Sequence, residues 1–277
     1  MVRVAASYFR MLRIEDWIFG YFFIPLIGTI AAAGYSPVLW VTVIVSACIL
    51  AFGFVINNVA DVEIDRLHTT KCETCKNPLT TQAVTTRGTW ILLVLFALVP
   101  LFLSLLCSVT AFLIVAATLA LWAAYSIRPF RLKERYLLDL VTHGIMAGLM
   151  LFLVGYTLPG PAGYLLSAKV VSLIVLFTCV GCMALLVHQI GDYNQDRGHS
   201  TTTVVQIGKK KGWVLLAALF GVSLVCLAAV RTIVNLESWV LWGAITLFAI
   251  PVFQLRNEIR RDFFLPSPDH SEDLGFE

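Results

Sequence analysis

VLWVTVIVSACILAFGFVINNVADVEIDR, residues 38–66, carries both the architecture and the chemistry of this chain in one stretch. Residues 38–60 contain no charged side chain. A backbone in hydrocarbon must satisfy its N–H and C=O groups within its own segment, and ~20 residues cross a bilayer core, so this run is a membrane helix. Its charges arrive together at the end, as Asp61, Glu63, Asp65 and Arg66. Residues four apart on a helix differ by ~40°, so Asn57, Asp61 and Asp65 form one stripe ~12 Å long.

Further apolar runs extend outward from this one. Spans are expected near residues 17–34, 38–60, 89–107, 109–126, 138–157, 168–191, 212–230 and 236–253. The chain of 277 residues is 59% hydrophobic and 13% charged, with a mean hydropathy of +0.85. Soluble domains carry about 25% charge. The expected fold is an all-α integral membrane protein, a multi-helix transmembrane bundle of about eight spans forming a single domain over 1–277. The start, MVRVAASYFRMLRIEDW, reads as no cleavable signal peptide, because no separate apolar core and cleavage site precede the first span.

Eight spans place both termini on one side, and the basic residues say which side. Of the 20 Lys and Arg, only Lys169 and Arg231 fall on one face and the rest on the other. The positive-inside rule makes the basic face cytoplasmic. The net charge of +3 is therefore a topological signal, and a nucleic-acid partner is not expected. The termini, the long inner segments 61–88, 127–137 and 192–211, and a polar tail at 254–277 are assigned to the cytoplasm, with lipid around the spans.

The stripe recurs. NNVADVEIDRLHTT (57–70) aligns without a gap to HQIGDYNQDRGHST (188–201), 131 residues later, with Asp61, Asp65, Arg66, His68 and Thr70 matching Asp192, Asp196, Arg197, His199 and Thr201. Units 10–65 and 138–196 thus read as repeats carrying a motif each, and repeated halves with a site between them are a known membrane architecture. Carboxylate and amide oxygens on one helix face suit Mg2+, which keeps waters and adds substrate phosphates. Asn57, Asp61, Asp65, Asp192 and Asp196 are the metal candidates, the four acids also the catalytic ones, and His188 opens the second stripe. Nearby Lys and Arg answer a diphosphate's charge. His68, Cys72 and Cys75 read either as three zinc ligands or as reduced loop thiols beside a histidine.

With these residues in view, the chain resembles the UbiA superfamily of intramembrane prenyltransferases. Asn57-Asn58-x-x-Asp61-x-x-x-Asp65 is similar to the family's first motif, with Asn58 where an Asp is usual. Asp192-x-x-x-Asp196 is similar to the second, with His188 where an Asn or Asp is frequent. AYSIRPFRLKER (124–135) resembles the family's Tyr-Ser and Lys segment, which implies Tyr125, Ser126 and Lys133 as diphosphate contacts. RMLRIEDW (10–17) resembles the basic lead into the first span and implies Arg13. Arg66, Lys76 and Arg197 complete the diphosphate set, Lys76 standing before KNPLTTQ's Asn77 where the family carries Arg. Relatives usually have nine spans and a lateral opening to lipid.

The resemblance implies Mg2+-dependent transfer from an isoprenyl diphosphate to a lipophilic acceptor, aromatic or quinone-precursor in kind. Ether-lipid formation and acceptor-free terpene cyclisation are alternatives on the same fold, and a transporter is the alternative outside it. His143, an ionisable residue inside a span with Asp139 and Thr142 nearby, is an acceptor or cavity candidate by its position alone. Asn58 and His188 share that role.

Overall fold

The computed structural model describes residues 2–67, 77–160, 167–198, 200–234, 256–260 and 262. Every regular element among them is helical. In chain order these are α1 Val2–Met11, α2 Ile14–Trp17, α3 Phe23–Ala33, α4 Val38–Leu67, α5 Thr86–Cys107, α6 Val109–Ser126, α7 Leu138–Thr157, α8 Ala168–Asp196, α9 Thr203–Ile207, α10 Lys209–Val234 and α11 Arg256–Ile259. A short 3₁₀ turn, Leu132–Glu134, lies between α6 and α7.

Six of these helices are long and apolar enough to cross a membrane: α4, α5, α6, α7, α8 and α10. The expected first span is different. Residues 17–34 are not one helix but the end of α2, turns through Gly20 and the 11-residue α3. Pro25 is the reason: in a helix continuing from α2 its ring would clash with the carbonyl of Tyr21, so a new helix starts with proline in its first turn. At ~1.5 Å per residue α3 is about half a bilayer core long. The expected eighth span, 236–253, and most of the tail lie outside the described residues.

The stripes gain from the structure. α4 continues as helix past the apolar run to Leu67, and α8 to Asp196, so both acidic motifs are helical as their spacing requires. α7 is the central element. It packs along α3 and α8 and also touches α4 and α6, while α5 and α10 pack outside, on α4 and α8 respectively. α4 and α8 do not pack along each other; α7 stands between them.

Small residues let the backbones approach. A Cβ added to Gly155 of α7 would lie 1.7 Å from the Pro25 carbonyl oxygen of α3, and one on Gly53 of α4 would lie 2.4 Å from the Trp122 ring of α6. Such contacts hold membrane helices together where lipid removes the hydrophobic drive between them. Thr29 adds a polar tie, sharing a hydrogen bond with Thr42 at 2.7 Å and donating to Gly155 O at 2.9 Å. Around this seam Trp17, Ile24, Ile49, Trp122, Phe152 and Phe177 form the largest buried cluster.

Candidate active site

The loop joining α6 to α7 folds back over the end of α4. Its first stripe residue, Asn57, accepts through Oδ1 from Lys133 Nζ at 2.7 Å and from Ser126 Oγ at 3.3 Å. Asp61, one turn on, accepts at Oδ2 from Lys133 Nζ at 2.5 Å and at Oδ1 from Arg131 Nη2 at 3.0 Å. Lys133 therefore bridges the amide and the carboxylate. Arg131 reaches further, pairing through Nε with Glu134 at 2.6 Å.

Burial sets the electrostatics of this cluster. Removal from water pushes the Lys133 amine below the ordinary lysine range, although Asp61 pulls it back up. The hydrogen bond from Arg131 holds the Glu134 carboxyl below its usual range, and the same contact raises the Arg131 guanidinium. Beyond Arg131 an open cavity of about 610 Å³ is lined by Arg128, Phe130, Glu134, Arg135 and Thr201. Arg131 thus stands between that cavity and the stripe.

Asp65, the third stripe residue, bonds a different segment. It is buried and accepts from Asn77 Nδ2 at 3.0 Å, and the same amide reaches Asn58 O at 2.8 Å. Asn77 holds its own turn as well, accepting from Leu79 N at 3.2 Å and, at its carbonyl, from Thr80 Oγ1 at 2.7 Å. Asn58 turns its side chain away from the stripe, donating to Met11 O at 3.1 Å. That direction follows from helix geometry, since adjacent residues lie ~100° apart. Arg13, in a left-handed conformation, pairs with Asp16 at 2.5 Å and lies over the Phe54 ring at 5.1 Å. Arg66 is exposed at the stripe's far end. Lys76, His68, Cys72 and Cys75 lie outside the described residues.

The second stripe is more open. His188, Asp192 and Arg197 are exposed and Asp196 is half-buried. Its back is held by Gln189, which donates to Asp139 Oδ2 at 2.6 Å and accepts from Val204 N at 3.1 Å. Asp139 is fully buried and also takes Thr203 N at 2.7 Å, Leu140 N at 2.7 Å and the Thr203 hydroxyl. Asp139 and His143 have separate partners: Asp139 fastens α9 and α8 to the start of α7, while His143 bonds Gly181 O at 2.9 Å. Tyr125 and Tyr21 flank the His143 ring, with centroids 5.7 and 5.9 Å away.

Three features are not marked in the sequence. Arg131 was one cation among many until the loop placed it on Asp61. Tyr21 and the Gln189–Asp139–Thr203 network had no local signal, although Gln189 aligns with Asn58 in the repeat.

The donor set suits a hard divalent cation. All three acceptor atoms at Asn57 and Asp61 are oxygens already engaged by cationic or hydroxyl donors. Among the described residues no group of three or more His, Cys, Asp or Glu is close enough to hold a metal unaided. Mg2+ typically takes one or two carboxylates and completes its shell with water and substrate phosphate.

A sequence model of the UbiA prenyltransferase family matches residues 20–262. Among solved structures, the chain is similar to a UbiA homolog from Archaeoglobus fulgidus bound to GPP and Mg2+, with a TM-score of 0.72 and 20% identity over 95% of this chain and 91% of that one. An apo UbiA homolog from Aeropyrum pernix K1 gives a TM-score of 0.68 and 17% identity over 94% and 92% of the two chains. Digeranylgeranylglyceryl phosphate synthase gives 0.66 and 19% over 93% and 89%. At such identities the likeness carries the fold. No curated protein matches the chain.

Proposed function

Because the chain belongs to the UbiA prenyltransferase family, we propose that it transfers an isoprenyl group from an isoprenyl diphosphate to a lipophilic acceptor within the membrane, with Mg2+ as cofactor. The acceptor is an aromatic or quinone-precursor ring, and the reaction opens on the cytoplasmic face. The observation that carries this reading is the cluster of Lys133 and Arg131 on Asn57 and Asp61. It joins oxygen donors and phosphate-binding cations at the end of an apolar bundle. The similar structure holding GPP and Mg2+ supports the ligand pair.

Lys133 and Arg131 bind the diphosphate as it arrives, Lys133 as a compact charge and Arg131 through its planar fork. Asn57 and Asp61, with Asp65, Asp192 and Asp196, are the residues whose oxygens would hold Mg2+ together with water and the substrate's phosphates. When bound, Mg2+ supplies Lewis acidity and neutralises charge on the leaving diphosphate. Arg13, Arg66, Lys76 and Arg197 add positive potential around the group, and Ser126 orients Asn57. The apolar bundle keeps water from the allylic cation, and the Tyr125 face stabilises its charge.

Purified protein incubated with Mg2+ and labelled geranyl, farnesyl or geranylgeranyl diphosphate tests this, with and without aromatic and glycerol-phosphate acceptors. Diphosphate release with a prenylated ring is the expected result. A prenylated glycerol lipid selects the ether-lipid alternative, and a hydrocarbon formed without acceptor selects cyclisation. No turnover of any diphosphate overturns the enzyme reading.

A further inference from the structure

Prenyl transfer to a ring carbon or a neutral hydroxyl discards a proton, as does closure onto the substrate's own double bond when it ends in an alkene. In an apolar cavity that proton needs a base within hydrogen-bond reach. The acids of the two stripes are placed for metal and diphosphate at the helix ends. Deeper in the bundle, at the aromatic cluster, stands His143.

The local backbone sets this residue apart. Directly after His143 and Gly144, α7 loosens into a π-turn, Ile145–Met150. Such turns are rare inside α-helices and concentrate at functional sites. Here the turn lies hard against α8, because glycines leave no side chain between the helices. A Cβ on Gly148 would lie 2.1 Å from the Phe177 carbonyl oxygen, and one on Gly181 would lie 3.1 Å from Gly144 Cα. This approach brings Gly181 O to 2.9 Å from His143 Nδ1.

That contact selects the tautomer. A carbonyl oxygen only accepts, so the neutral ring carries its proton on Nδ1 and its lone pair on Nε2. Nε2 has no hydrogen-bond partner among the described residues. The ring is flanked by Tyr21 in a T-shaped contact and by Tyr125 at a 60° tilt, aromatic neighbours for a cationic substrate as well. Tyr125 also precedes Ser126, whose hydroxyl reaches Asn57, so the end of α6 touches both the imidazole and the diphosphate cluster.

From this geometry we propose that His143 Nε2 is the base that takes the proton released by prenyl transfer, an inference that rests on the prenyl-transfer reading above. The C1–O bond of the allylic diphosphate breaks and its electron pair leaves with the diphosphate. A π pair of the acceptor ring forms the new C–C bond. The proton at that ring carbon passes to Nε2, its C–H pair restores the ring, and the imidazolium later releases the proton to solvent. Nothing is oxidised or reduced.

The test compares wild type with His143→Gln and His143→Ala in the full chain. Gln keeps an amide able to donate to Gly181 O and lacks the basic lone pair. Binding of inorganic diphosphate with Mg2+, followed by calorimetry, is expected to stay within about twofold for His143→Gln. Turnover with the wild type's own substrate pair is expected to fall by about 10²- to 10⁴-fold in kcat at similar KM, the usual share of a general base. Added imidazole is expected to restore part of that turnover in His143→Ala. Turnover by His143→Gln within about threefold of wild type overturns the proposal; so does loss of diphosphate binding together with turnover. Should His143→Gln fail to fold, His143→Ala decides, absence of imidazole rescue being the overturning result. A wild type that turns over none of the diphosphates instead overturns the prenyl-transfer reading, which no His143 variant does.

Discussion

Asp61→Asn removes one charge at the most crowded point of the site, and its consequences separate into two measurable parts. Both carboxylate oxygens are engaged, by Lys133 at 2.5 Å and Arg131 at 3.0 Å. The three side chains are 17%, 14% and 9% exposed, so water screens them only partly. At ~3 Å and an effective dielectric of ~20 each pair attracts by roughly 5 kcal/mol, most of which offsets desolvation. Breaking a buried pair by removing one partner costs about 3–5 kcal/mol. Asn retains one acceptor oxygen and Arg131 retains Glu134, so we place Asp61→Asn at about 2–3 kcal/mol.

The stranded charge is Lys133. Removing it as well, in Asp61→Asn/Lys133→Met, is expected to return at least about 1 kcal/mol, because the interaction energy of contacting residues is commonly 0.5–3 kcal/mol. Thermal unfolding of wild type, both single variants and the double variant in one detergent gives the coupling. Diphosphate release gives the activity, which is expected to fall at least about 10³-fold in every Asp61 variant, the scale of lost electrostatic stabilisation. Restored stability without restored turnover isolates the catalytic role from the structural one. An Asp61→Asn protein as stable as wild type would refute the Lys133 clamp. One with turnover within about tenfold of wild type would refute the placement of Asp61 at the diphosphate.

Asp139→Ala strands the Gln189 amide, two backbone N–H groups and the Thr203 hydroxyl; each orphaned buried donor costs about 1–3 kcal/mol, so a loss of at least ~3 kcal/mol and faster proteolysis near 200–208 are expected. Gly148→Leu forces α7 off the Phe177 carbonyl and should destabilise by roughly 3 kcal/mol or more, seen as lost monodisperse yield on size exclusion. Asp192→Asn lies on an exposed helix end, so its unfolding should stay within about 0.5 kcal/mol of wild type while diphosphate release is lost. Glu134 titrates below its ordinary value because Arg131 bonds the charged form. Its contribution is therefore present above its unfolded pKa and fades as pH falls through the lower folded value. At 44% side-chain exposure that contribution is under about 1 kcal/mol, and Glu134→Gln should flatten only the acid side of a stability–pH curve.

Much of this was legible because membranes impose few solutions. The apolar run at 38–60 demanded a helix, and the period of four in Asn57-x-x-x-Asp61-x-x-x-Asp65 required a stripe, which α4 supplies. The break in 17–34 was also written there, in Gly20 and Pro25, but hydropathy averages over such punctuation. Side-chain partners were harder to foresee. Asn58 and Asp61 look equally like ligands in a string of letters, yet the angle between them sends one to Met11 O and the other to Lys133. Asp139 and His143 lie one turn apart, so their separate partners depend on where α8 and α9 pack. No local pattern encodes that.

The repeat reaches deeper than its acids. Asn58 and Gln189 fill equivalent positions, both buried, and each pins the back of its helix to the start of its own half: Asn58 to Met11 O, Gln189 to Asp139. Each also holds the segment after its stripe, through Asn77 in one copy and Val204 N in the other. A helix end that presents charge on one face needs such fixing on the other, and the two copies achieve it with different atoms. Their stripes diverge for a topological reason. The loop carrying Arg131 and Lys133 occurs once, between the halves, and it folds onto α4. The first stripe therefore carries Arg131 and Lys133 on its oxygens, whereas the second stripe, with His188 and Asp192 exposed, lies beyond that loop's fold onto α4. The asymmetry follows from having one linker for two sites, with the His188 substitution adding to it.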